Sequence, residues 1–143
     1  MTPFVIDASV AAKWFLPPSG EPLALEALRL LAGYSQGQFR FAVPDLFWAE
    51  CGNLLWKAVR QGRWTRTAAE KAIVALKDRS FPTTSSRDLL EETFSIAATF
   101  DRTLYDSLYV ALAVRLKADM VTADERLANA LAAHLPVKWL GAV

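Results

Sequence analysis

One cysteine and one histidine stand among 143 residues, and these two scarcities exclude a good deal of chemistry. A lone Cys51 cannot form an intramolecular disulfide, which suits a reducing compartment. With His134 as its only companion, a structural zinc site of Cys and His ligands cannot be assembled within the chain. A nuclease that uses two histidines as acid and base is excluded for the same reason. Cys51 reads as a small core residue, and His134 as a residue at the end of an alanine-rich helix. No basic region followed by an apolar core and a cleavage site marks a secretory leader. Charges interrupt every apolar stretch well short of membrane-spanning length. The expectation is a soluble cytoplasmic protein with no membrane partner. An excess of charge is missing too: a net +1 neither marks nor excludes a nucleic-acid partner, because binding depends on a local patch.

What is present is apolar and aromatic. Apolar residues make up 53% of the chain and charged ones 22%, a globular balance with material for a sizeable core. Five Trp and eight Phe are enough for some rings to cover a partner surface as well as the core. No repeat, low-complexity tract or interdomain linker breaks the chain, so residues 1–143 are expected to form a single domain.

Periodicity predicts strands at 3–7, 39–43 and 137–140, with further short ones in FPTTSS and DMVT. A short helix through VAAKWF is stopped by Pro17 and Pro18, and a second over 21–32 ends near Gly33. Pro44 suits the first turn of a long helix over 44–61, closed by Gly62. Thr65 or Thr67 caps a helix over 66–78, and further helices cover 87–100, 103–117 and 125–134. Strands alternating with helices predict a three-layer α/β/α sandwich around a mostly parallel sheet.

Four acids occupy places that a core would not choose. FVIDASV drives a β-prone run into Asp7, and MVTADE does the same with Asp124. Both aspartates leave strand ends just before helices, where ligands bind in open parallel sheets. Singly, each reads as a helix cap, and Thr122 with Glu125 fits the spacing of a capping box. Glu50 shares a helix face with Leu46 and Leu54, beside the stripe of Phe47, Cys51, Leu55 and Ala58. An unpaired carboxylate there is costly. Asp106 stands amid the apolar residues of TLYDSLYVALAVRL, where it also suits the helix dipole of a first turn.

Together the four change the weighing. Converging carboxylates repel one another and lose solvent, and no nearby run of Lys or Arg neutralises them from within. A hard divalent cation resolves the conflict, Mg²⁺ or Mn²⁺, held through carboxylate oxygens and water. Such a site performs metal-assisted phosphodiester hydrolysis without histidine. Asp7, Glu50 and Asp106 are the expected ligands. Asp124 serves a second metal or supports the first, and Ser9 orients Asp7 or a water unless it caps the helix start.

The order VIDASV, WAECGNLL, TLYDSLYVALA, VTADERL resembles PIN-domain ribonucleases, particularly VapC-type toxins of bacterial and archaeal toxin–antitoxin pairs, over essentially the whole chain. The resemblance implies a PIN-like α/β/α sandwich and Mg²⁺- or Mn²⁺-dependent endonucleolytic cleavage of single-stranded regions of RNA. It maps the family's acidic positions onto Asp7, Glu50, Asp106 and Asp124, and its hydroxyl residue onto Ser9. It further implies a homodimer and a VapB-type antitoxin whose tail fills an apolar groove, for which Trp14, Phe15, Phe47, Trp48 and Trp56 are candidates beside their core-packing role. Lys13, Arg60, Arg63, Arg87 and Arg102 are candidate RNA contacts. Two other readings use the same residues. In an aspartyl-phosphate phosphatase Asp7 would be the nucleophile, but the second carboxylate expected two residues on is Ser9. In a PIN-like binding module the acids would hold a partner's basic tail.

Overall fold

A computed structural model describes residues 1–143. Five parallel strands form its sheet in the order β3-β2-β1-β4-β5: β1 Thr2–Ile6, β2 Phe39–Pro44, β3 Thr83–Thr84, β4 Asp119–Thr122 and β5 Val137–Trp139. Parallel strands demand crossovers, and seven helices supply them. These are α1 Ala8–Ala11, α2 Ala24–Ser35, α3 Leu46–Arg60, α4 Arg66–Lys77, α5 Ser86–Phe100, α6 Leu104–Leu116 and α7 Glu125–Leu131. The result is the three-layer α/β/α sandwich, with helices covering both faces of the sheet.

The central strands read as continuous apolar runs because both of their faces are covered. Phe4, Val5 and Ile6 of β1 and Met120 and Val121 of β4 are buried, and Ile6 pairs with Val121 at the carboxyl end. Helix α6 packs across β1, β2 and β4 and carries α5 on its flank. From Ser107 to Ala113 every residue of α6 is buried, so it is an interior helix and not an amphipathic surface one. No helix is long and apolar enough to cross a membrane.

Several elements differ from their sequence-based expectation for local reasons. Gly33 does not end α2: the helix runs on to Ser35, and the chain turns at Gly37, whose φ is +78°. Gly33 is instead a point of close approach, where a Cβ would lie 2.3 Å from the Phe39 ring. Pro44 ends β2, and α3 begins at Leu46. Thr65 caps α4, its Oγ1 accepting from the Ala68 amide, and Thr67 does not. Thr122 and Glu125 form no capping box; Asp124 itself caps α7, its Oδ1 accepting from the Leu127 amide at 3.1 Å.

The aromatics divide by burial. Trp14 and Phe47 are core residues and line no surface groove; the Trp14 indole donates to the Ala27 carbonyl at 2.9 Å. Phe15 and Trp48 pack partly buried against the same core. Trp56 alone of the five is largely exposed, with Arg60 stacked over its ring. It lies in a groove of about 460 Å³ between α3 and α4. Cys51 is fully buried, and burial with nearby acids pushes its thiol far above the range in which a thiolate forms. It is a core residue. His134 is exposed beside the Phe100 ring, near the amino ends of the strands.

Candidate active site

In strand order β3-β2-β1-β4-β5 the direction of winding reverses between β1 and β4, so the crevice outside their carboxyl ends lies at a topological switch point. Asp7 leaves β1 there, and Asp124 leaves β4. The sheet brings these two aspartates together from positions more than a hundred residues apart.

Asp7 occupies the residue before α1, but its side chain makes no cap bond. Oδ2 instead accepts from Ser9 Oγ and Thr122 Oγ1, both at 2.8 Å. Each hydroxyl then accepts a backbone amide from the β4 exit: Ser9 Oγ from Ala123 and Thr122 Oγ1 from Asp124, both at 3.1 Å. Two hydroxyls thus tie Asp7 and the ends of two neighbouring strands into one network. Burial pushes the Asp7 carboxyl up from 3.8 to about 6; the two hydroxyl bonds oppose this, and the charges of Glu50 and Asp106 add to it.

Glu50 sits half-buried at the edge of the α3 stripe, whose centre is Phe47, Cys51, Leu55 and Ala58. Its partner is a tyrosine: Tyr109 Oη donates to Oε1 at 2.5 Å. Tyr109 is 1% exposed on α6, and burial beside these acids holds its hydroxyl protonated. Glu50 is raised by burial and by Asp106, and the tyrosine bond pulls against that rise.

Asp106 lies half-buried in the first turn of α6, its amide donating to the Thr103 cap. Burial raises its pKa, the charge of Asp124 adds to this, and Arg102 opposes it. Asp124 is exposed at the outer rim. The electrostatic neighbourhood therefore runs continuously, Asp7 feeling Glu50 and Asp106, and Asp106 feeling Asp124. Arg102 is the one cation among these influences, too few for four carboxylates.

The donor set suits a hard divalent cation. Asp7, Glu50 and Asp124 each commit one oxygen to a protein donor and leave the other without a protein hydrogen bond. No three acids stand close enough, as the side chains lie, to chelate one ion directly. That arrangement fits an ion that retains several waters and takes few protein ligands.

Sequence reasoning placed the four acids and Ser9 but missed two partners. In the sequence Tyr109 counts only toward the apolar face of TLYDSLYVALAVRL, although a buried tyrosine needs an acceptor for its hydroxyl. Thr122 was read as a cap; its bond to Asp7 has no local signature, because it joins residues 115 apart in the chain.

The PIN domain family model matches residues 4–131. Ribonuclease VapC3 of Pyrobaculum aerophilum is 30% identical over 127 residues, covering 87% of this chain and 92% of that one. Among solved structures, Mycobacterium tuberculosis VapC20, described as a toxin that cleaves the sarcin–ricin loop, superposes with a TM-score of 0.66 at 16% identity, over 92% of this chain and 95% of that one. A toxin–antitoxin complex from Klebsiella pneumoniae gives 0.63 at 18% identity, over 94% of each chain.

Proposed function

The chain belongs to the PIN domain family, and on that footing we propose that it is a Mg²⁺- or Mn²⁺-dependent endoribonuclease that cleaves single-stranded regions of RNA as the toxin of a VapBC-type pair. The observation that carries the proposal is the crevice itself: four carboxylates at a switch point, each with at least one oxygen free of protein hydrogen bonds and with little internal neutralisation. The ribonuclease named among its relatives supports the substrate class. The toxin–antitoxin complex among its structural neighbours supports an antitoxin partner.

Asp7, Glu50 and Asp106 would hold the cation, with Asp124 at the rim supporting it or a second one. The chemistry a divalent ion would supply there is a more acidic water and compensation of charge on the phosphoryl group. The chain's own residues prepare that place. Ser9 and Thr122 fix Asp7 Oδ2 and leave Oδ1 without a protein hydrogen bond. Tyr109 keeps its proton on Oη and holds Glu50 Oε1 in one position. Preorganised acids lose little freedom when substrate and ion arrive. Leu90 and Phe94 of α5 with Tyr105 of α6 leave apolar surface exposed, Phe94 at 67%, consistent with a homodimer face. A cytoplasmic setting, where such an RNA would be met, is part of the same proposal.

The test combines chelation and substitution. Purified protein is incubated with structured RNAs in Mg²⁺, Mn²⁺ or EDTA, beside Asp7→Asn and Asp106→Asn variants. Cleavage is expected only with the metal and the intact acids. Cleavage that survives both chelation and Asp7→Asn overturns the mechanism. No cleavage across a broad RNA panel, with tight binding of a small basic-tailed protein, assigns the chain instead to a binding module.

A further inference from the structure

Beside the acidic crevice lies a cleft of about 350 Å³ whose wall carries the opposite charge. Ser9 and Asp124 belong to its lining, so it opens directly from the site; Lys13, Lys57 and Arg63 line it with Glu21. Ser9 and Lys13 are four residues apart along α1 and the 3₁₀ turn that follows, so they share a face. The side chain next after the hydroxyl that holds Asp7 is therefore an ammonium.

Lys13 is unusual in being 7% exposed. Its Nζ donates to Glu21 Oε1 at 2.8 Å and has no other hydrogen-bond partner in the protein. An ammonium has three donors, so two remain for an acceptor in the cleft. The second Glu21 oxygen lies 3.8 Å from Arg63 Nη1, and Arg63 Nε donates to Gln61 Oε1 at 2.9 Å, so Glu21 holds Lys13 while Gln61, also in the cleft lining, holds Arg63. Lys57 has no carboxylate within ion-pair distance. Three cations against Glu21 and Asp124 leave this wall positive, next to a crevice that by itself repels phosphates. A set of donors of this kind, with Lys13 held in place and only partly spent, matches a compact oxyanion.

We propose that this cleft is a subsite for an RNA backbone phosphate flanking the scissile one, with Lys13, Arg63 and Lys57 as donors, Glu21 orienting Lys13 and Gln61 orienting Arg63. The assignment rests on the ribonuclease reading. Of the candidate RNA contacts in the sequence, it selects Lys13 and Arg63 and adds Lys57. It leaves out Arg60, which stacks on Trp56 outside the cleft.

The test is binding of a labelled single-stranded oligoribonucleotide to the full chain in EDTA, with the RNA checked for integrity. Arg63→Gln and Lys57→Gln should each weaken binding about fivefold at 0.1 M salt and lower the slope of log K against log salt by about 0.7. Lys117→Gln, before β4 at the opposite end of the sheet, should leave the slope unchanged. One neutral methylphosphonate walked along the oligonucleotide should weaken wild-type binding at one position. That position should become indifferent in Lys13→Gln/Glu21→Gln, which removes the buried pair together. If that double variant does not fold, Arg63→Gln, whose side chain is 45% exposed, carries the same comparison.

Unchanged slopes for Arg63→Gln and Lys57→Gln overturn the subsite, as does a methylphosphonate effect that the variants do not alter. Binding of polyglutamate that depends on Arg63, with no methylphosphonate effect, assigns the cleft to an acidic protein partner and also overturns it. Cleavage in Mg²⁺ is scored separately on the same proteins. Cleavage with unaltered slopes removes the subsite and leaves the nuclease reading standing; altered slopes in a chain that cleaves nothing keep a phosphate-binding cleft but overturn its assignment beside a scissile bond, together with the nuclease reading.

Discussion

Asp7 is the residue on which most of the chemistry converges. Its charge is disfavoured by burial and by Glu50 and Asp106, and only partly restored by Ser9 and Thr122. A carboxyl raised from 3.8 to about 6 binds its proton more tightly folded than unfolded. Stability from this group is therefore fully present below pH 3.8 and is lost as pH rises through about 6. The shift corresponds to ~3 kcal/mol at most, and less to the extent that water reaches the free oxygen. Asp7→Asn keeps an acceptor for both hydroxyls and carries no charge. Relative to wild type in EDTA, it should gain about 2 kcal/mol more at pH 7.5 than at pH 4, read from denaturant unfolding. An equal difference at both pH values would show that Asp7 is not strained by its charge. The identity of the acids was visible in the sequence because a carboxylate after FVI or MVT stands out. Their partners were not, because Tyr109 and Thr122 reach Glu50 and Asp7 only through the folded chain.

At the scale of elements, the strands and long helices were legible because their apolar residues recur with the right period. Ends were less so, because a terminating residue can serve a different purpose. Gly33 reads as a helix stop in one dimension, yet it is buried inside α2, where the helix passes close to Phe39 at the start of β2. Gly33→Ala tests that role. The added methyl raises helix propensity by up to ~1 kcal/mol but forces the Phe39 ring aside, at a cost of about 1–3 kcal/mol. The net expectation is a loss of about 1 kcal/mol, seen as a lower Tm; an increase in Tm would mean that the ring yields freely. Helix α6 gives the complementary lesson. Its apolar residues run nearly all round, and the reason is position: it is covered by the sheet on one side and by α5 on another.

For the whole molecule, the site is a compromise in which stability is given up to keep acids close together. An ion that binds the folded chain only should recover part of that loss, by RT ln(1 + [L]/Kd), or ~2.7 kcal/mol at a hundredfold excess over Kd. At pH 7.5, Mg²⁺ or Mn²⁺ should raise the wild-type Tm by several degrees and the Asp106→Asn Tm by much less, in a thermal melt followed by circular dichroism. Equal shifts in the two proteins would place the binding elsewhere. On the proposed reading the basic cleft beside the crevice completes the arrangement: an acidic centre that would hold a cation, and a cationic wall that would hold the polyanion.

Short-range pattern was enough to determine the α/β layering, the order of elements and the candidates Asp7, Ser9, Glu50, Asp106 and Asp124. Burial and strand termini leave their marks within a few residues of sequence. Only the tertiary structure decided that β1 and β4 are neighbours, that two hydroxyls and a tyrosine orient the acids, and that Lys13 is buried beside them on Glu21. Each of these is a contact between distant parts of the chain. Its energy depends on distance and exclusion of water, and neither exists until the sheet has closed.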